Sequence, residues 1–145
     1  MCLSKKCLNC KEVKLLENFS KDKNRKDGLQ NYCKLCNTEK SKLHSKINRE
    51  FARKFCNKVK SRFGCFKCGL KEHYLLDFHH LVKTDKRNNV SILVAKTSGK
   101  PSIKKIKDEI RKCIILCANH HREFHYLELY NNITIKEYLN VQVVE

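Results

Sequence analysis

Three Cys-x-x-Cys pairs constrain the fold of this chain more than any other feature. They are Cys7/Cys10, Cys33/Cys36 and Cys65/Cys68. The first two pairs have the spacing that is typical of a four-thiolate zinc site. Between them, Leu15, Leu16 and Phe19 are too few apolar side chains for a core without metal, so we expect zinc binding to supply folding energy for this module. The alternative is a set of four unligated structural thiols.

The length and the cysteine content bound the class of protein. A chain of 145 residues can form one modest domain and a small module, but not two large cores. Ten cysteines, mostly in Cys-x-x-Cys pairs, indicate zinc rather than disulfides and a reducing compartment. The N-terminal Met-Cys-Leu-Ser-Lys-Lys is not an apolar signal segment, and no run approaches the ~18 apolar residues of a membrane span. We therefore expect a soluble protein with no membrane partner, in the cytoplasm of a bacterial or virus-infected host cell.

The chain is strongly basic, with 32 Lys and Arg against 15 Asp and Glu and a net charge of +17. This excess indicates a polyanionic partner, and nucleic acid is favoured over an anionic membrane because no amphipathic helix carries bulky apolar anchors on a clean face. Residues 1–64 carry 18 basic and 6 acidic side chains, whereas residues 65–145 carry 14 and 9. The first half is therefore the expected nucleic-acid-binding half.

Residues 37–63 predict a long helix, because the segment lacks Gly and Pro and its apolar residues recur at every fourth position. These apolar positions are Leu43, Ile47, Phe51, Phe55, Val59 and Phe63. A spacing of four drifts by ~40° per step around a helix, so we expect the early members to pack on the zinc module and the late ones on the next domain. Along the remaining arc lie the basic Lys42, Lys46, Arg49, Arg53 and Lys60. This row suits a phosphate backbone, and the alternative is an ordinary solvated charged face.

A second zinc site is predicted at the third cysteine pair, whose partners must lie downstream. The candidates are Cys113, Cys117 and His120. If the first two lie in one strand, they are about 13 Å apart at ~3.3 Å per residue, which is too far for both to bind one ion at ~2.3 Å. Cys117 and His120 span the step from strand to helix and can share an ion. The second zinc is therefore assigned to Cys65, Cys68, Cys117 and His120, with Cys113 in place of His120 as the open alternative.

Histidines gather at two places in the second half of the chain. Residues 74–81 predict a strand that ends in the pair His79-His80. A later apolar, β-branched run predicts a second strand, which leads into a helix carrying His121 and His125. These two imidazoles lie one helical turn apart and ~40° apart on one face, so they can hold a single metal ion. The alternative is a surface helix with solvated histidines.

Two capping signals mark further helices. Ser102 is the expected N-cap of a helix with an inward isoleucine stripe within residues 103–110. Thr134-x-x-Glu137 has the pattern of a capping box, which predicts a last short helix at this position.

Taken together, these segments resemble the HNH endonuclease family, the ββα-metal nucleases. The stretches similar to phage and bacterial members are Leu-Asp-Phe-His-His-Leu (76–81), Asp-Glu-Ile-Arg-Lys-Cys (108–113) and Leu-Cys-Ala-Asn-His-His-Arg-Glu-Phe-His (116–125). Residues 7–36, ending in Gly-Leu-Gln-Asn-Tyr-Cys-Lys-Leu-Cys, resemble the zinc ribbon often found ahead of such domains. The resemblance covers most of residues 5–126 and implies an α+β fold. The implied domains are a small zinc ribbon (1–37), a basic connecting helix (38–63) and an HNH nuclease domain with a second structural zinc (64–145).

Position by position, the resemblance implies roles for four histidines. His79 falls on the first metal ligand, where the family has Asp or His, and His80 falls on the general base. His121 falls on the final motif position, which is usually His or Asn. His125 matches the extra ligand seen in the nuclease colicins.

Two positions depart from the family. His120 stands where Cys is usual, so the second knuckle has three Cys and one His, which zinc accepts. Lys112 replaces the middle Asn of the motif, and that Asn normally helps to fix the loop. The replacement raises the question of how His80 is oriented. Neither change removes a metal ligand or the base.

The implied activity is metal-dependent DNA cleavage. His80 deprotonates a water molecule that attacks phosphorus, and Mg²⁺, Mn²⁺ or Zn²⁺ on the other three histidines stabilises the pentacovalent state and the departing 3′ oxygen, which gives 5′-phosphate and 3′-hydroxyl ends. The expected phosphate contacts in this domain are Lys83, Lys86 and Arg122. One rival is a non-catalytic zinc-dependent DNA-binding protein, which would leave the retained histidines without a role. Another is a phage DNA-packaging accessory factor that cuts only with its partner bound.

Overall fold

The chain forms two compact units in the computed structural model. The described residues are 3–82, 89–96 and 103–140. The first unit is Met1–Ile47 and the second is Asn48–Glu145. Helices and strands are both present, which confirms a mixed α+β class. The boundary between the units falls inside the long helix α1 (Lys34–Phe63), and the three domain bounds given above stay predictions.

Two small antiparallel strand pairs build the first unit. The strands are β1 (Ser4–Lys6), β2 (Val13–Leu15), β3 (Phe19–Lys21) and β4 (Leu29–Cys33). β1 pairs with β2, and β3 pairs with β4 in a register that places Phe19 opposite Cys33. Gly28, before β4, has a left-handed backbone (φ 69°), which glycine adopts without strain. The buried side chains of this unit are Cys7, Phe19, Cys33 and Cys36. The cysteines themselves therefore form most of its core.

Helix α1 follows β4 directly. It begins at Lys34, earlier than the predicted start at residue 37, and it ends at Phe63. Gly64 comes next with a φ of 71°, and a Cβ there would lie 3.0 Å from the carbonyl oxygens of Gly69 and Leu70. The helix therefore stops at a position that only glycine fills without displacing backbone.

The apolar stripe of α1 does not pack as predicted. The exposed members are Leu43, Ile47, Phe51 and Phe63. The expectation that the early members pack on the zinc module is therefore wrong. Ala52 and Cys56 are the buried positions, and Phe55 and Val59 are partly buried against cores of the second unit. These four positions are i, i+3, i+4 and i+7 and therefore lie on one helix face, whereas a strict spacing of four drifts around the helix.

An antiparallel strand pair followed by a helix forms the centre of the second unit. The elements are β5 (Leu76–His80), β6 (Cys113–Cys117) and α4 (Ala118–Asn131). β5 is shorter than the predicted strand because a 3₁₀ turn (His73–Leu75) precedes it. The register places His79 opposite Ile114 and His80 opposite Cys113. Because neighbouring residues of a strand point to opposite faces, the two histidines of the pair serve different sides of the sheet.

Three shorter helices complete the second unit. They are α2 (Val90–Ala95), α3 (Ile103–Ile110) and α5 (Ile135–Asn140). The predicted capping box begins α5, since the Thr134 backbone N–H donates to Glu137 Oε2 (2.7 Å) and the Glu137 N–H donates to Thr134 Oγ1 (3.3 Å). Ile106 of α3 is buried as the stripe predicted, while the expected cap Ser102 lies outside the described residues. None of the helices in the described ranges is both long and apolar enough to cross a membrane.

Candidate metal centres and the histidine cluster

The first cysteine group lies in the first unit and consists of four thiols. Cys7, Cys10, Cys33 and Cys36 place their sulfur atoms within 4.8 Å of one another, so they could hold one metal ion. The backbone N–H of Cys33 donates to Cys7 Sγ at 3.3 Å. Burial opposes ionisation of Cys7, but backbone donors from Cys33, Cys10 and Asn9 outweigh it and lower the pKa of this thiol to about 6. A thiol that ionises this readily suits a structural metal such as zinc, which binds thiolates.

The second group joins the third knuckle to the start of α4. Its members are Cys65, Cys68, Cys117 and His120. His120 Nδ1 lies 3.1 Å from Cys117 Sγ and 3.5 Å from Cys65 Sγ, and Cys68 Sγ lies 4.0 Å from Cys117 Sγ. Tetrahedral zinc with bonds of ~2.3 Å to sulfur and ~2.05 Å to nitrogen requires about 3.5 Å between S and N ligands and about 3.8 Å between sulfurs. The separations of 3.5 and 4.0 Å are close to these values and the one of 3.1 Å is shorter, so the four residues could hold one zinc ion after a small adjustment.

Cys113 is not part of this second group. It lies at the far end of β6 from Cys117, its Sγ donates to the Glu109 carbonyl at 3.3 Å, and it packs against the cluster that contains Ile106. Between the two alternatives left open by the sequence, the geometry brings His120 rather than Cys113 to the third knuckle. The cause is the extended strand, which carries Cys113 away from its neighbour.

A third group contains only histidines. His79 comes from the end of β5, and His121 and His125 come from the first two turns of α4. His121 Nε2 lies 3.0 Å from His79 Nδ1, and the three rings stand edge to face with centroids 4.8 to 5.0 Å apart. Phe124 lies between His121 and His125 in the sequence, and its side chain is buried. Its ring packs edge-on against the His79 ring, with 4.8 Å between the ring centroids. The cluster is thereby anchored to the core while its nitrogens converge on one point.

Two carboxylates that sequence reasoning missed lie beside the helical histidines. Asp77 Oδ2 lies 3.6 Å from His121 Nδ1, and Glu128 Oε2 lies 3.3 Å from His125 Nδ1. A carboxylate at Nδ1 favours the tautomer protonated there and leaves Nε2 for a metal. A signal for both exists in the sequence: Asp77 shares a strand face with His79, and Glu128 follows His125 by three helical positions.

The histidine cluster favours neutral imidazoles. Burial, followed by the positive charges of His121 and His125, lowers the pKa of His79 to about 4. Burial likewise lowers the pKa of His121 below its usual range. Because a metal binds only the neutral ring, these two ligands need little deprotonation before an ion enters.

His80 stands apart from the cluster. Its Nε2 lies 2.9 Å from Glu109 Oε1, and Glu109 Oε2 in turn accepts from Lys112 Nζ at 3.3 Å. Both His80 and Glu109 are nearly buried, with side chains 10% and 5% exposed. Glu109 was not recognised in the sequence as a site residue, and its partner lies 29 positions away.

One cavity exposes both kinds of histidine. It has a volume of about 510 Å³ and lies within the second unit. His80 and His121 line it together with Arg53, Lys60 and Asp77. The cavity therefore presents a possible base, a metal-group histidine and two cations to one volume of solvent.

The predicted nucleic-acid contacts have varied positions. Lys42 and Lys46 are exposed on α1 in the first unit, whereas Arg49 and Arg53 belong to the second. Arg122 is exposed on α4. The two loop candidates, Lys83 and Lys86, lie outside the described residues. Of the described basic residues on α1, Arg53 and Lys60 line the cavity.

Comparison of the chain with models of known protein families, with curated proteins and with solved structures finds no match to any of them. The geometry of the site's own residues is therefore the basis for assigning its chemistry.

Proposed function

We propose that this chain is a metal-dependent DNA endonuclease of the HNH type, with His80 as its general base. The supporting observation is that His80 lines the same cavity as His121 and, among the residues that the structure describes, belongs to no group that could hold a metal. A base beside a metal site, but not bound to it, keeps a nitrogen for proton transfer. This separation of roles is what hydrolysis of a phosphodiester requires.

The histidine cluster suits a catalytic rather than a structural ion. It offers three nitrogen ligands, and a site with three protein ligands keeps positions open for substrate oxygen. His79, His121 and His125 would hold a divalent ion, which would supply positive charge to stabilise the pentacovalent phosphorus and the departing 3′ oxygen. Three imidazoles favour a borderline ion such as Zn²⁺ or Mn²⁺, although cells supply Mg²⁺ in excess.

His80 takes the proton from the attacking water in this proposal. Its Nε2 faces Glu109, so Nδ1 is the nitrogen that accepts the proton. The resulting hydroxide attacks phosphorus on the side opposite the 3′ oxygen, and the bond from phosphorus to that oxygen breaks. The departing oxygen takes a proton from solvent water, so the products carry 5′-phosphate and 3′-hydroxyl ends.

Cationic side chains support DNA as the substrate. Arg53 and Lys60 stand in the wall of the cavity that His80 and His121 share, and the chain as a whole carries a net charge of +17. Arg122 is exposed one residue beyond His121 on α4. Guanidinium and ammonium groups neutralise phosphates without reading the bases, which favours binding to many DNA sequences.

Cleavage of supercoiled plasmid by the purified full chain tests the proposal. Mg²⁺, Mn²⁺ and Zn²⁺ are supplied separately, and the variants are His80→Ala, His121→Ala and, as a control, His73→Ala on the 3₁₀ turn. We expect His80→Ala to lower the cleavage rate by ~10² to 10⁴ with metal content and DNA affinity unchanged, because it removes only the base. His121→Ala should raise the metal concentration needed for activity, and His73→Ala should match the wild type.

Two results would contradict the nuclease. The first is a wild type that cuts no DNA with any of these ions, and the second is a His80→Ala variant that cuts as fast as the wild type. Retained DNA binding in either case would favour the zinc-dependent binding protein. Cleavage that appears only when a phage packaging partner is added would favour the accessory factor.

A further inference from the structure

Glu109 is an unusual residue in the second unit. It is 4% exposed, and it is the only buried charged residue in the part of the chain that the structure describes. Removing a carboxylate from water is costly unless it is paired and hydrogen-bonded. Glu109 lies on α3 and outside all three metal groups. Interactions other than metal binding must therefore offset the cost of burying its carboxylate.

Each oxygen of Glu109 faces a different partner. Oε1 lies 2.9 Å from His80 Nε2, and Oε2 lies 3.3 Å from Lys112 Nζ. An ionised carboxylate only accepts hydrogen bonds, so a hydrogen bond to Oε1 requires the proton of the neutral imidazole to be on Nε2. The lone pair of His80 is then on Nδ1.

The backbone holds this arrangement from both sides. The Leu81 N–H donates to the Lys112 carbonyl at 2.9 Å, and the Lys112 N–H donates to the Glu109 carbonyl at 3.1 Å. Cys113 pairs with His80 across the sheet, and its thiol donates to the same Glu109 carbonyl. The end of α3 is therefore fixed against the end of β5, and the carboxylate reaches the imidazole from a rigid support.

We infer that Glu109 is the positioning residue of His80: it fixes the ring orientation and keeps the Nε2–H tautomer, while Lys112 holds its second oxygen. This inference rests on the proposed function, in which His80 is the base. It also answers the question that the sequence raised, because Lys112 stands where the resemblance expects a loop-fixing Asn. Glu109 contacts the His80 ring directly, and Lys112 contacts the other oxygen of Glu109.

The first test reads the tautomer of His80 and needs no activity. Nitrogen NMR of the labelled full chain near pH 7.5, with and without Zn²⁺, distinguishes Nε2–H from Nδ1–H imidazole. We expect the Nε2–H form in the wild type and in Asp108→Asn, a matched control on the neighbouring exposed carboxylate. We expect a mixture of tautomers in Glu109→Gln, because an amide can also donate to the ring. An Nδ1–H ring in the wild type, or an unchanged tautomer in Glu109→Gln, overturns the inference.

The second test uses plasmid cleavage and a double-mutant cycle. Glu109→Gln should lower kcat by about 10- to 100-fold with KM and zinc content unchanged, which is the usual cost of losing an orienting carboxylate. In the His80→Ala background the same change should have no further effect, because Glu109 acts through the ring. A full additional loss in that background overturns the inference. If the wild type cuts no DNA, the proposed function fails, but the tautomer of His80 still decides the role of Glu109.

Discussion

Replacement of Cys33 by serine tests whether metal binding holds the first unit together. In the described residues 3–47, Phe19 is the only buried side chain that is not a cysteine. Burial of one Phe contributes about 1.5–3 kcal/mol, whereas a structural zinc contributes about 10–16 kcal/mol of apparent binding free energy. The metal term is several times larger, so a chain without it should not keep this unit folded. Cys33→Ser should therefore lose one zinc equivalent and the order of this unit together.

Two measurements on the full chain check this result. Elemental analysis after dialysis against a mild chelator should find about two zinc equivalents in the wild type, one for each four-ligand group, and one fewer in Cys33→Ser. Hydrogen exchange should show protected amides in β3 and β4 of the wild type and fast exchange there in the variant. The matched control is Cys113→Ser, whose thiol belongs to no metal group and should leave both readouts unchanged. A Cys33→Ser variant with undiminished zinc and protected amides would refute the reasoning.

Three further predictions concern the second unit. Asp77→Asn should weaken Zn²⁺ binding at the histidine cluster by about tenfold, which is the lower end of the usual range because Asp77 is 54% exposed. The measurement is a calorimetric Zn²⁺ titration of chains whose cysteine groups are already loaded. A change of less than about twofold in the dissociation constant would contradict the prediction. When the histidine cluster holds no metal, the free energy of unfolding should fall as the pH drops from 6.5 towards 4. The reason is that His79 takes up a proton at about pH 6.5 in the unfolded chain but only near pH 4 in the folded chain, where its pKa is lowered. Urea melts of His79→Asn should show a smaller loss of stability over this range, and an equal loss would contradict the prediction. Arg53→Ala should reduce the slope of log affinity for DNA against log salt concentration by ~0.9, because it removes one phosphate contact in the cavity wall. The control is Arg111→Ala, which changes an exposed arginine outside the cavity. An equal change of slope in both variants would contradict a specific contribution of the cavity to DNA binding.

The parts of the structure that depend on short sequence spacing could be predicted. Cys-x-x-Cys knuckles, the capping box at Thr134 and the helical turn between His121 and His125 each set their geometry within a few residues. The long helix also followed from its lack of Gly and Pro. The buried side of this helix did not follow from the sequence. The apolar pattern gives candidate faces, and the elements packed against the helix determine which of them is buried. Leu43 and Ile47 are exposed for that reason, although their spacing is regular.

The carboxylate beside His80 could not be predicted, because its partner is set by tertiary packing. Glu109 meets His80 across 29 positions of sequence, and only the pairing of β5 with β6 brings the end of α3 to the end of β5. In the sequence, Glu109 lies in a charged run beside Asp108, and the two carboxylates look alike. Burial distinguishes them, since Asp108 is half exposed and pairs with Arg111 on the surface.

The same sheet and helix separate two candidate metal groups in the second unit. Cys117 ends β6 and His120 lies in the first turn of α4, so this end of the helix completes a four-ligand group that has no vacant position. His121 points about 100° away from His120 around the helix axis and meets His79 in a group of three nitrogens with room for a further ligand. Adjacent histidines thus reach different groups because the helix rotates between them. A metal at the second cysteine group would fix the start of α4, and with it the position of His121. Loss of Cys65 should therefore weaken metal binding at the histidine cluster without removing any of its ligands.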